Sequence, residues 1–192
     1  MHWLSLADFP EAPAVLEDRD SFSGNAAKKA AELAEYLRGI GYPSAHSYVL
    51  ADDSGLEVDA LGGAPGVYSA RFAYLETGEP GNAPDRLNNA KLLKMLAEVP
   101  EGKRSARFRC VLAWQAVGDL HAPLPAPVLF EGKCEGKILF SPQGETGFGY
   151  DPLFVPTGFG QSFAELGEDV KNSLSHRSHA ARLLGAWLAE AS

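Results

Sequence analysis

The stretch SYVLADDSG, residues 47–55, reads as a short buried strand, Ser47 to Ala51, that stops at two carboxylates, Asp52 and Asp53, and a glycine turn. Upstream, residues 23–40 repeat apolar side chains at helical spacing through Ala26, Ala30, Leu33 and Leu37. Ser23 is placed to cap this helix, and Gly41 and Pro43 to stop it. Downstream, GGAPG at 62–66 is a turn, and residues 83–98 form a second helix with Leu87, Leu92, Leu93 and Leu96 as its apolar stripe. Residues 105–117 alternate in part and are rich in strand formers. Pro-rich 122–127 fits an edge or hairpin loop, because proline cannot donate to a ladder. Residues 128–140 read as two strands broken by Gly132 and Gly136, residues 144–152 as a glycine-rich loop, and residues 178–191 as a terminal amphipathic helix. No repeat or linker divides the chain, so residues 1–192 are expected to be one α/β or α+β domain on one mixed sheet.

Composition narrows the functional classes. The chain has 192 residues, 45% apolar and 22% charged, as in an ordinary globular protein. A net charge of -8 argues against a broad surface for a nucleic acid polymer, which needs clustered Lys and Arg, but leaves room for a small basic pocket. Cys110 and Cys134 lie in apolar, strand-like stretches without a CxxC spacing. They read as buried thiols in a reducing cytoplasm. The N-terminus MHWLSLADFPEA lacks the basic and apolar regions of a signal peptide. No apolar run approaches the roughly 20 residues that span a bilayer, so no membrane association is expected.

Four segments carry candidate chemistry. Asp52 and Asp53 can hold a hard cation, since magnesium takes one or two carboxylates and completes its shell with water and phosphate; a solvated acidic turn is the alternative. The loop GETGFGYD, residues 144–151, sets Phe148 between glycines. The ring either fills the core or stacks on a planar base, with backbone amides free to read the base edge. Lys171, His176 and Arg177, with neighbouring hydroxyls, form a polar segment before a helix, suited to a phosphate or a purine carbonyl or simply to water. Lys29 lies one turn from Asn25 on a helix face, in reach of phosphate if it is not a plain surface lysine.

Taken in order, LADDSGLEVDALGGAPGVYSARFA (50–73), RSARFRCVLAW (104–114), GETGFGYDPLFVP (144–156) and FAEL…KNSLSHRSHA (163–180) resemble the inosine triphosphate pyrophosphatase family, from about Ser21 to the C-terminus. The resemblance implies a two-lobed α/β fold around a long mixed sheet, a nucleotide cleft between the lobes, a homodimer, and Mg²⁺ as cofactor. It implies hydrolysis of dITP, ITP and XTP to monophosphate and pyrophosphate. By the same resemblance, Asp53 matches the magnesium-linked carboxylate and general base, Glu17 a second metal ligand, Ser54 a substrate contact, and Lys29 a phosphate contact. Phe148, Gly149, Tyr150 and Asp151 match the base-recognition loop, and Lys171, His176 and Arg177 the groups around the purine. The family's opening Thr-Gly-Asn-x-x-Lys strand and turn has no counterpart in this sequence, and Gly24 stands where many relatives carry Glu. Two rivals follow: a nucleotide-binding module of this fold with weak or no hydrolysis, and a related pyrophosphatase for modified pyrimidine nucleotides.

Overall fold

The computed structural model describes residues 2–43 and 45–190, so Ala191, the last residue of the expected terminal helix, lies outside the described residues. In chain order the elements are α1 (Phe22–Gly39), β1 (Tyr48–Val58), a 3₁₀ segment (Gly66–Leu75), α2 (Asp85–Met95), β2 (Ser105–Ala116), β3 (Val128–Ile138), β4 (Phe154–Pro156), α3 (Phe163–Leu174) and α4 (His176–Glu190). The strands form one four-stranded antiparallel sheet in the order β1-β2-β3-β4. At its β4 edge Gly136 pairs with Pro156 and Ile138 with Phe154. The α/β class holds, but the expected mixture of strand directions does not. Each strand lies beside its predecessor and runs against it, so no parallel pair forms among the described strands. No helix among the described residues is long and apolar enough to cross a membrane.

The chain divides into two compact units. One takes the chain up to Asp52 together with Leu112–Leu129; the other takes Asp53–Val111 and the chain from Phe130 onward. In the first unit, α1 is capped by Ser21, whose hydroxyl accepts the Gly24 N–H at 3.2 Å. Ser23, expected as the cap, lies inside the first turn, because only Ser21 keeps the extended backbone a cap requires. Ala26, Ala30 and Ala34 are fully buried, a small-residue stripe at four-residue spacing. Buried Arg38 donates to the carbonyls of Asp119, Leu120 and Ala122 at 2.5, 2.9 and 2.6 Å, tying down the loop after β2.

The second unit has its own core, in which Leu56, Phe72, Leu92, Phe108, Phe154 and Phe163 take part. Buried Arg104 spans it, donating to the carbonyls of Leu96, Val99, Ile138 and Leu139, and burial lowers its pKa from the usual arginine value. β1 passes through Asp52, Asp53 and Gly55 to Val58, so these residues lie within a strand and form no turn. β3 likewise runs unbroken through both glycines. Its even-numbered positions from Phe130 to Ile138 turn inward while Glu131, Lys133, Glu135 and Lys137 face water. A methyl at Gly132 would overlap the His176 carbonyl oxygen at the start of α4, and one at Gly136 would overlap the Val155 carbonyl. These glycines permit close approach and interrupt nothing. α3 and β4 were not anticipated. The N-terminus of α3 does carry a readable sign, a capping box in which Ser162 accepts the Glu165 N–H at 3.2 Å and Glu165 accepts the Ser162 N–H at 2.9 Å.

Both cysteines are buried thiols, and burial pushes the pKa of Cys134 up to about 11. A raised thiol pKa favours the folded state while the thiol is protonated. That contribution is complete below the unfolded thiol value of about 8.5 and fades as pH rises through about 11. Iodoacetamide at pH 8 should therefore label neither cysteine in the native protein and both in denaturant, as mass spectrometry would show.

Candidate active site

The second unit contains a pocket of about 210 Å³. Its lining brings together Ser54, the loop residues Phe148, Gly149, Tyr150 and Asp151, and Lys171, His176 and Arg177. These residues come from β1, a glycine loop, α3 and α4, far apart in sequence.

Phe148 is 61% exposed, which removes the core reading for its ring. Lys171 Nζ stands 4.0 Å from the ring centroid and the Arg177 guanidinium carbon 5.9 Å, so two cations lie over an exposed ring. The amides expected to read a base edge are already committed. The Phe148 N–H donates to Asp151 Oδ2 at 2.9 Å and the Gly149 N–H to Asp85 Oδ2 at 2.7 Å. Asp151 is 1% exposed and pairs with the Lys171 ammonium. A side chain at Gly147, where φ is +81°, would collide with that same carboxylate. Asp151 thus organises the loop and holds the lysine beside the ring. Tyr150 is buried, its hydroxyl donates to the Ser69 carbonyl at 2.9 Å, and burial raises its pKa well above the usual tyrosine value. The Ser69 hydroxyl in turn accepts the Leu56 N–H of β1 at 2.9 Å.

Lys171 to Arg177 is not one polar segment ahead of a helix. Lys171 lies in the last turn of α3, Ser175 is an extended break, and His176 and Arg177 open α4. His176 is buried and stacks on Phe108 with centroids 4.9 Å apart, whereas Arg177 is exposed. On β1, Ser54, Gly55 and Leu56 line the pocket, and Asp53, buried at 7% exposure, does not. In the first unit the Lys29 ammonium donates to Glu17 Oε1 at 2.9 Å. Asn25 there is fully buried and its side-chain oxygen accepts the Arg19 N–H at 3.0 Å, a local structural role.

Among the described residues, no three His, Cys, Asp or Glu side chains cluster to hold a metal ion. A cage made only of protein ligands is therefore not formed by them. A divalent cation at this site would be held by one or two carboxylates and completed by water and substrate phosphate oxygens. Sequence reading missed Asp85, Ser69 and Phe108 in the pocket and Asn89 behind it. The readable signal was the second face of α2, where Asp85, Asn88 and Asn89 are polar although Asn88 and Asn89 are buried.

The sequence model of the Ham1 family matches residues 1–187. The chain belongs to the Ham1 family. This Ham1 protein is 48% identical over 188 residues to a Shouchella clausii protein named dITP/XTP pyrophosphatase, covering 95% of the chain and 85% of the relative. A protein of the same name from Opitutus terrae is 49% identical over 176 residues, covering 91% and 77%. The solved structure of the Staphylococcus aureus Ham1 protein matches it with a TM-score of 0.81 at 33% identity, covering 100% of this chain and 88% of that one.

Proposed function

We propose that this Ham1 protein hydrolyses nonstandard purine nucleoside triphosphates, ITP, dITP and XTP, to the monophosphate and pyrophosphate. The observation that carries the reading is the exposed Phe148 ring bordered by Lys171 and Arg177 in a pocket sized for a flat base. Stacking a base on such a ring contributes about 1–3 kcal/mol. The names of the two relatives, at nearly half identity, point the same way.

Base choice falls to the purine 6-position. Hypoxanthine and xanthine present a carbonyl there and adenine an amine, so donors aimed at that position are left unpaired by adenine. Arg177 is the donor assigned to it, because its side chain is exposed and lines the pocket beside Phe148. Guanine shares the carbonyl, and its exclusion rests on the 2-position. Asp53 is assigned the metal carboxylate and the acceptor of the attacking water's proton; Glu17 is assigned the second metal carboxylate and Lys29 a phosphate contact. Magnesium, when bound, neutralises charge on the phosphate oxygens. A homodimer in the cytoplasm is the proposed working form.

Pyrophosphate release across ITP, XTP, GTP, ATP and dTTP tests the reading. Turnover should favour ITP and XTP, require Mg²⁺, and rise toward alkaline pH as the attacking water becomes easier to deprotonate. Equal turnover of ATP and dTTP would overturn the substrate assignment, and full activity in excess EDTA the metal assignment. Arg177→Ala should raise KM for ITP about tenfold and erode the preference over ATP. Its melting temperature should stay within a few degrees of wild type, since the side chain is exposed. A large melting shift with unchanged KM would make Arg177 structural.

A further inference from the structure

α2 grips the loop that carries Phe148 at both hydrogen-bonding groups of one residue. Asp85 Oδ2 accepts the Gly149 N–H at 2.7 Å, and Asn89 Nδ2 donates to the Gly149 carbonyl at 3.0 Å. Asp85 and Asn89 are four residues apart, on one face of the helix. The helix itself is fixed from its next polar positions. Asn88, 3% exposed, accepts the Ala73 N–H at 2.8 Å and donates to the carbonyls of Ala70 and Ala83, while Lys91 donates to the Phe72 carbonyl at 2.8 Å. Gly149 has φ +62° and open space where a Cβ would stand, and α2 bonds its backbone at both the N–H and the carbonyl.

We propose that Asp85 and Asn89 are positioning residues that hold Gly149, and through it the neighbouring Phe148 ring, as a rigid platform for the base. The inference rests on the nucleotide reading of the pocket and adds to it a division of labour. With the Phe148 and Gly149 amides committed, these two residues supply a stacking surface and no edge donor. Stacking accepts any purine, because every base has a π-face. Loosening the clamp should therefore weaken ITP and ATP alike, whereas removing an edge donor changes their ratio.

The test uses the whole chain and the variants Asp85→Ala, Asn89→Ala and Asp85→Asn, the last of which keeps an oxygen able to accept the Gly149 N–H. Steady-state kinetics with ITP and ATP should show KM about tenfold higher for both nucleotides in Asp85→Ala, with kcat within about twofold and the ITP-to-ATP preference retained. Asp85→Asn should restore most of KM. Amide hydrogen exchange, read without nucleotide, should show the Gly149 N–H protected in wild type and in Asp85→Asn, and exchanging at least about tenfold faster in Asp85→Ala. Equal Gly149 exchange in wild type and Asp85→Ala would overturn the clamp. So would an Asp85→Ala protein that loses ITP preference at unchanged KM, since that would make Asp85 a base contact. If wild type bound no purine triphosphate while Gly149 remained protected, the nucleotide reading would fail and the clamp would stand as a structural device only.

Discussion

Asp151→Ala should lower stability by about 3 kcal/mol and abolish measurable nucleotide stacking in the same protein. The carboxylate is 1% exposed, accepts the Phe148 N–H, and is the anion paired with the partly buried Lys171. Replacing it with a methyl leaves an ammonium without its counter-charge and a backbone donor without its acceptor, both in a site water reaches poorly. The lysine would swing out to solvent, and the ring it borders would lose its cation and its fixed backbone. Asp151→Asn keeps an acceptor for the Phe148 N–H but not the charge, so it should fall between wild type and alanine in both properties. Thermal melting and ITP titration on the three proteins decide the matter. An alanine variant that melts with wild type and binds ITP equally would show that Asp151 organises neither the lysine nor the loop.

Asp53→Asn should produce the opposite pattern, an intact fold with turnover reduced about 100-fold or more. The residue is buried within β1, and the swap is nearly isosteric, so packing is preserved while the charge proposed to hold metal and accept a proton is lost. Because Asp53 is not among the residues lining the base pocket, KM for ITP should change only a few-fold. Turnover at the wild-type rate would remove Asp53 from the chemistry, and collapse of the melting transition would make its role structural.

These two aspartates show what a sequence can and cannot display. Asp53 and Asp151 were both visible as members of worded motifs, yet their surroundings were not. Asp53 was read at a strand end because a glycine follows two residues on, but β1 carries that glycine inside the strand. The same habit of treating glycine as punctuation split β3, whose in-out alternation from Phe130 to Ile138 is regular once Gly132 and Gly136 are counted as inward positions. α1 and β2 were legible because their periods are long and uninterrupted. α3 was not, since Gly167, at φ +80°, breaks its pattern midway, and β4 is only three residues long. In the site, Ser54, Phe148 to Asp151, Lys171, His176 and Arg177 line one pocket while Asp53, Glu17 and Lys29 do not, and Asp85 and Asn89 bind a glycine more than fifty residues away. No local pattern announces such a pairing; it exists only when the chain has closed on itself.

The inward row Gly132, Cys134, Gly136 along β3 is low, and α4 begins directly against it at His176. Replacing glycine with alanine is a common way to stiffen a chain where the backbone allows it. At Gly132 the added methyl would lever the opening turn of α4 outward and carry Arg177 with it. β3 therefore cannot be stiffened at Gly132 without displacing the start of α4 and, with it, two residues that line the pocket, His176 and Arg177.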